Sequence, residues 1–179
     1  MNEEVLNIHH DLIDRCRAGD QYAHYRIYKL YAKAMLNTAF RITGRDDEAQ
    51  DVLQEAFISA FRNLESYRGD ATFGSWLKRI VVNKAINSVK KRKFELMPEN
   101  EDFDVPVQEE DKDNYMPELT VDKVKKAIGA LPDGYRSVLS LYLLEGYDHQ
   151  EIGEILGISE STSKSQLNRS KKKLKELLT

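Results

Sequence analysis

The sequence predicts an all-α protein of two small helical modules joined by a flexible acidic linker, and three observations lead to this prediction. Apolar residues recur at i, i+3 and i+4 through most of the chain, without the alternation that is typical of strands. The pattern stops in an acidic, proline-containing segment at 94–120 and resumes afterwards. We therefore expect modules at 1–93 and 121–179.

Length and composition exclude several protein classes. The chain has 179 residues, one cysteine and no apolar run of the length that a membrane span needs. Cys16 alone cannot form an internal disulfide or a cysteine-rich zinc site. Residues 1–11 contain acidic residues and no basic one, so the basic segment that begins a secretory signal peptide is not seen. We expect a cytoplasmic protein with no membrane insertion and no cofactor.

The first module is predicted to contain three main helices and a weaker short one at about Asp11–Ala18. Apolar and aromatic residues spaced from Tyr22 to Ala39 indicate the first main helix. The clearest signal is the second, whose stripe is Val52, Leu53, Ala56, Phe57, Ala60, Phe61 and Leu64. A turn at Arg68-Gly69-Asp70 precedes the third, for which Thr72 is the expected N-cap.

The segment 94–120 has the composition of a linker. It contains Pro98, Pro106 and Pro117, and its apolar residues follow no steady period. A coil of this length has an average span of about 30 Å, so it allows two modules to bind separate sites.

The second module is predicted to contain four helices. An amphipathic helix at Val121–Ala130 is broken by Leu131-Pro132-Asp133-Gly134, and another runs from Tyr135 to Leu144. The last two, His149–Leu156 and about Glu160–Leu178, flank a tight turn at Gly157. Gly157 suits a left-handed turn conformation, and Gly153 allows a close helix crossing.

The net charge of −3 conceals a strong segregation. Residues 21–93 carry a net charge of +7 and residues 123–179 carry +3, whereas residues 94–122 carry −10. Two basic modules therefore flank an acidic tether, and the overall charge does not argue against a nucleic-acid partner.

The last two helices have the pattern of a helix-turn-helix at about 148–168. Short hydroxyl, amide and basic side chains fill the first half of the final helix, as contacts to phosphates and base edges require. An ordinary helical hairpin is the alternative, and Lys171 to Lys173 also fit a solvated face.

A second basic region lies in the helix after Phe73. Arg79, Asn83, Lys84 and Asn87 lie away from its apolar stripe. Tyr67, Phe73 and Trp76 are nearby and suited to stacking on unpaired bases, although a tryptophan with the spacing of Trp76 is more often a core residue.

The third feature is the polar face formed by Asp51, Gln54 and Glu55. A metal site is disfavoured because no histidine and no facing carboxylates accompany it, so a solvated or protein-docking face is the better interpretation. No phosphate-binding glycine loop and no nucleophile–histidine set occurs in the sequence, so no enzyme activity is predicted.

Together these features resemble a sigma factor of bacterial RNA polymerase, of the extracytoplasmic-function (ECF) type with sigma regions 2 and 4. Asp51-Val-Leu-Gln-Glu-Ala-Phe resembles the core-binding helix of the family. The segment from Phe73 to Asn87 resembles its −10 and melting helix, and that from Tyr135 to Lys173 its −35 helix-turn-helix.

The resemblance implies a role for each set of residues. Asp51, Gln54 and Glu55 would dock on the clamp helices of the largest subunit of core RNA polymerase. The −10 element would meet Tyr67, Arg68, Trp76, Arg79, Asn83, Lys84 and Asn87, with the loop 65–72 capturing a flipped base of the non-template strand. The −35 promoter DNA would meet Thr162, Lys164, Ser165, Asn168, Arg169 and Lys172. An anti-sigma factor is a further candidate partner.

Some positions depart from the family pattern. Ser163 replaces a commonly buried valine, so it either finds a backbone partner or loosens the helix pair. Gln166 removes an expected phosphate contact, Asn87 stands where aspartate is frequent, and Gly153 where alanine is frequent. These changes bear on base preference.

Two other classes stay open at this point. A helical interaction module or partner-switching regulator would not contact DNA, and both basic faces would then be merely solvated. A response-regulator-like activator would need a receiver or ligand-binding domain, for which residues 1–120 show no strand pattern.

Overall fold

The computed structural model describes residues 9–96 and 119–179, and every regular element in these residues is helical. The all-α prediction is confirmed. Most of the predicted linker, residues 97–118, lies outside the described residues. The helices are α1 His10–Arg17, α2 Gln21–Thr43, α3 Asp46–Arg62, α4 Phe73–Leu96, α5 Val121–Gly129, α6 Asp133–Leu139, α7 His149–Leu156 and α8 Glu160–Leu178.

The chain groups into two compact units. Among the described residues, one unit comprises 9–40 with Arg45–Asn87, and the other comprises Arg41–Gly44 with 88–96 and 119–179. Helix α4 continues past residue 93, where the sequence predicts the end of the first module. The domain boundaries from the sequence stay a prediction.

The core of the first unit is built on the predicted stripe of α3. Val52, Leu53, Ala56, Phe57 and Ala60 are all buried. Aromatic rings of α2 pack on this helix, with ring centroids 4.8 Å apart for Tyr28 and Phe57 and 4.5 Å for His24 and Phe61. Helix α2, predicted as the first main helix, is present, although Tyr22 and Tyr25 are more than half exposed.

The start of α4 is fixed by the predicted cap. The hydroxyl of Thr72 accepts a hydrogen bond from the Ser75 amide at 3.2 Å, which satisfies one of the free N–H groups of the first turn. Gly69 in the preceding turn has a φ of 81°, a conformation that favours glycine. The turn and the cap are both confirmed.

In the second unit, α8 packs against α5, α6 and α7. Leu131, Val138, Leu139, Leu141 and Ile152 are buried beside it. The helix predicted at Tyr135–Leu144 begins two residues earlier, and its last turn, Ser140–Leu144, is π-helical. Helix α7 starts with a complete capping box between Asp148 and Glu151.

A charged residue is also buried in this unit. Arg136 is 3% exposed, and it donates a 2.8 Å hydrogen bond to the Leu131 carbonyl and pairs with Asp133. Burial alone raises the pKa of Asp133, but hydrogen bonds from Arg136 and Arg92 hold that pKa below its usual value. The buried guanidinium is therefore compensated.

The turn between α7 and α8 depends on two glycines. Gly157 has a φ of 71°, and a Cβ added at Gly153 would lie 2.7 Å from the carbonyl oxygen of Ile158. The predicted left-handed conformation is confirmed, whereas the close contact at Gly153 is not the predicted helix crossing. The close approach is to the turn itself, and the Ile158 amide donates a 3.0 Å hydrogen bond to the Gly153 carbonyl.

We predict opposite effects for two glycine-to-alanine substitutions. Gly157→Ala should lower the free energy of unfolding by about 1–2 kcal/mol, because the left-handed conformation is strained for alanine. Gly129→Ala should raise it by about 0.5 kcal/mol, because Gly129 is helical and its Cβ would enter open space. Urea unfolding followed by circular dichroism measures both changes. Equal effects would contradict the assigned turn conformation.

Candidate functional site

The polar face of α3 lies opposite its buried stripe. Asp51, Gln54 and Glu55 are all exposed, as predicted. Successive residues of a helix are rotated by about 100°, so Gln54, Asp51 and Ile58 fall on one side of α3. Ile58 is 44% exposed there, which makes this face partly apolar.

An apolar groove borders this face. It has a volume of about 640 Å³ and is formed between α2 and α3. Its lining residues are Tyr28, Leu36, Gln50, Leu53, Gln54, Phe57, Ile58 and Phe61. The sequence analysis did not predict the groove or the exposure of Ile58. An isoleucine one turn after Gln54, on an otherwise polar face, was a signal for an apolar docking surface. The combination of carboxylates, an amide and an open apolar groove suits the docking of another protein.

Metal binding has no geometric support in the described residues. No group of three or more histidine, cysteine, aspartate or glutamate side chains there is arranged to hold a metal ion. Cys16 is buried, and burial raises the pKa of its thiol to about 11.

The basic face of α4 is a single stripe along the helix. Arg79, Asn83 and Asn87 are exposed and follow Trp76 at spacings of three, four and four residues, while Lys84 is half-buried beside them. Leu77, Val81 and Ala85 are buried on other sides of the helix. The structure therefore brings the predicted α4 residues together on one surface.

Tyr67 is placed differently from the sequence prediction. It is 7% exposed, its ring packs 5.4 Å from both Phe73 and Trp76, and its hydroxyl donates to the Ala71 carbonyl at 2.8 Å. Burial raises the pKa of its phenol, so the hydroxyl stays a donor. Arg17 also donates to the Tyr67 carbonyl at 2.6 Å.

The structure therefore shows Tyr67 as a support of the loop, and its direct DNA contact stays a prediction. Its ring is enclosed by core aromatic residues, and its hydroxyl closes the loop in which Arg68 is exposed. Trp76 is half-buried in the same cluster. Its ring contacts with Tyr67 and Phe73 fit the core interpretation, and stacking of its open surface on unpaired bases stays a prediction.

The recognition face of α8 is continuous. Buried Ser163, Leu167 and Ser170 define its inner side. By helical rotation, the predicted set lies together on the remaining side. Its members are Thr162, Lys164, Ser165, Asn168, Arg169 and Lys172.

Local bonds hold several of these side chains. Lys164 pairs with Glu160 at 2.6 Å, and both side chains are more than half exposed, so little energy opposes their separation. The Ser165 hydroxyl donates to the Ser161 carbonyl at 3.0 Å. The hydroxyls of Thr162 and Ser159 are 2.7 Å apart at the helix N-cap.

Ser163 has a partner that the sequence analysis did not consider. Its hydroxyl lies 2.9 Å from Nδ1 of His149, and the imidazole stacks on Tyr142 with centroids 4.5 Å apart. The sequence analysis expected either a backbone partner for Ser163 or a loosened helix pair, and the side-chain contact with His149 is neither. The available signal was that a buried serine needs a polar group on the facing helix.

Gln166 lies at the edge of the recognition face. Its side-chain oxygen is buried and has no hydrogen-bond partner among the described residues, and a Cβ added at Gly134 would lie 4.0 Å from it. The side chain is therefore directed towards the start of α6.

Two family models match these two halves of the chain. Sigma-70 region 2 matches residues 27–95, and Sigma-70 region 4 matches residues 122–174. The ECF RNA polymerase sigma factor SigW of Bacillus subtilis strain 168 is 31% identical over 176 residues, which cover 93% of this chain and 94% of SigW. The chain is an ECF RNA polymerase sigma factor.

Other relatives support the assignment of this chain to the ECF sigma factor family. SigM of Mycobacterium tuberculosis is 33% identical, with 90% of this chain and 80% of SigM covered. SigE of Mycolicibacterium smegmatis is 30% identical over 89% of this chain, which spans 64% of the length of that relative. The resemblance identified from the sequence is confirmed, and a module that never contacts DNA is not favoured.

Two solved structures share the fold of the sigma factor. The sigma factor RpoE of Bartonella quintana, in complex with the anti-sigma factor NepR, has a TM-score of 0.57 at 23% identity, covering 86% of this chain and 95% of RpoE. CnrH, in complex with the cytosolic domain of CnrY, has a TM-score of 0.52 at 23% identity, covering 93% of this chain and 94% of CnrH. Among the described helices of the sigma factor, none combines the length and the apolarity needed to cross a membrane.

Proposed function

We propose that this sigma factor uses three separate helix faces for three contacts in promoter-specific initiation. The α3 face binds core RNA polymerase, the α4 face with its preceding loop binds the −10 element, and the α8 face binds the −35 element. One observation carries the proposal: in each helix, the residues that match the family motif share the side opposite the buried stripe.

The docking partner of the α3 face is the pair of clamp helices in the largest subunit of the polymerase. Asp51 and Glu55 supply charge for orientation, and the neighbouring groove beside Gln54 supplies apolar surface to bury. Apolar burial with a polar rim is the ordinary composition of a specific interface. This use explains why exposed carboxylates occur in a basic module.

The α4 face binds the −10 element as it opens. Arg79 and Lys84 supply positive charge, and the amides of Asn83 and Asn87 supply hydrogen bonds to bases. Extruding one base costs a few kcal/mol, which stacking and hydrogen bonding in the loop after Tyr67 offset. Tyr67 supports this loop from the core, while Arg68 and the open side of Trp76 face the strand.

The α8 face enters the major groove of the −35 element. Thr162, Ser165 and Asn168 present hydroxyl and amide groups suited to base edges. Lys164, Arg169 and Lys172 present cations suited to phosphates, and the pairing of Lys164 with Glu160 is weak enough to exchange.

No chemical step is required of the chain, because selective binding of the open strand is sufficient for melting. We therefore propose that it is not an enzyme and that it acts in the cytoplasm as modules 1–93 and 121–179 on the acidic linker 94–120. An anti-sigma factor is a proposed partner, since one structure of similar fold is a complex of a sigma factor with the anti-sigma factor NepR.

The docking assignment is tested by replacing Gln54 and Glu55 with alanine. Affinity for core polymerase should fall about tenfold, or about 1.4 kcal/mol, because the proposal places these two side chains at the centre of the interface, where the few costly residues lie. Binding of labelled sigma factor to core polymerase measures the loss. The matched control replaces exposed Asp11 and Gln21, which removes the same types of group elsewhere in the unit. Full affinity in the test variant, or an equal loss in the control, would contradict the assignment.

The −35 assignment is tested by replacing Lys164 and Arg169 with alanine. Binding to −35 duplex should weaken, and the slope of log affinity against log salt should become shallower by about one to two, because fewer counterions are released. Replacing exposed Lys123 and Lys125 of α5 removes the same charge and should leave the slope unchanged. An unchanged slope in the α8 variant would place those cations away from DNA.

A further inference from the structure

The contact between α7 and α8 has a polar centre. Two of the three buried residues of α8 are serines, Ser163 and Ser170, and Ser163 is fully buried. Ser170 satisfies its hydroxyl within α8 by donating to the Leu167 carbonyl at 2.7 Å. Ser163 instead bonds across to His149 of α7. The hydrogen bond between Ser163 and His149 therefore joins the two helices in addition to their apolar packing.

His149 is also held in place by contacts other than the one with Ser163. It is the first residue of α7, and the capping box fixes that end through hydrogen bonds of 2.8 Å and 2.9 Å between Asp148 and Glu151. Its ring lies on Tyr142 with an angle of 17° between the two planes. The cap and the stack together give Nδ1 a defined position.

This bond sets the rotation of α8 about its own axis. Ser163 lies between Thr162 and Lys164 in the sequence, and its short side chain reaches Nδ1 in a narrow range of helix rotations. A rotation of about 20° moves side-chain tips on a helix surface by about 2 Å. That shift is enough to break a base-edge hydrogen bond.

We propose that His149 is a positioning residue for −35 recognition, acting through Ser163 to fix the direction of the α8 face. The inference rests on the proposed −35 function of α8. The pair has the greatest effect on discrimination between sequences, since phosphate contacts tolerate small rotations better than base contacts do.

Four variants of the full chain test the pair. His149→Leu keeps a similar volume and removes the hydrogen-bonding atom. His149→Asn places an amide atom near the position of Nδ1 and so keeps the bond. Ser163→Ala removes the other partner, and His149→Leu/Ser163→Ala removes both. His10→Leu replaces an exposed histidine of the other unit as a control.

Each variant is assembled with core polymerase, and the holoenzyme is titrated against two short duplexes. One duplex is selected from a random pool by the unaltered holoenzyme, and the other has the same bases in scrambled order. The ratio of the two affinities measures discrimination. Thermal unfolding of each free variant reports folding separately.

His149→Leu and Ser163→Ala should each lower discrimination about tenfold, with the affinity for scrambled duplex within about twofold of the unaltered value. The asparagine variant should stay within about threefold of the unaltered discrimination. The double variant should lose no more than either single variant, because both remove the same bond. His10→Leu should leave discrimination unchanged.

The inference is overturned if His149→Leu keeps full discrimination, if asparagine fails as leucine does, or if the losses of the single variants add. A parallel loss of affinity for both duplexes with a lower unfolding temperature would assign the pair to folding and overturn the inference. If His149→Leu does not fold, the discrimination of Ser163→Ala and His149→Asn still tests the inference. Absence of any discrimination by the unaltered holoenzyme would instead refute the −35 function itself.

Discussion

Burial of one apolar stripe per helix is the constraint on which the functional surfaces depend. A helix that buries residues at i, i+3 and i+4 has its rotation fixed, so the direction of its opposite side is fixed as well. In α3 the burial of Val52 and Ala56 directs Gln54 outward, and in α8 the burial of Leu167 directs Asn168 outward. The directions of the proposed recognition surfaces therefore follow from core packing.

Polar groups within the core refine this arrangement. Apolar contacts tolerate small slides and rotations, whereas a buried hydrogen bond is lost when its partners move. The bond between His149 and Ser163 fixes α8, and the bond from Tyr67 to the Ala71 carbonyl closes the loop before α4. In both places the buried polar group lies directly behind a proposed DNA-binding surface.

Local sequence signals were sufficient for the helices, the capping residue Thr72 and the left-handed Gly157, because periodicity, caps and positive φ are properties of short segments. They also identified which residues of α4 and α8 share a side, since helical rotation alone determines this. The π-helical turn at Ser140–Leu144 was not predictable, because it has no distinctive local composition.

The features that the sequence did not reveal depend on packing between separate elements. Tyr67 has the composition of a stacking residue, and only its packing against Phe73 and Trp76 shows that its ring is enclosed. The partner of Ser163 lies fourteen residues away on another helix. The groove beside Gln54 arises from the pairing of α2 with α3, which periodicity within one helix does not describe.

The most direct test of this account is reconstituted transcription with core polymerase over a library of genomic fragments, with mapping of the start sites. The account predicts initiation at discrete sites preceded by two short shared elements at constant spacing, dependent on the added chain. Start sites identical to those of core polymerase alone, or sites that share no upstream elements, would contradict it.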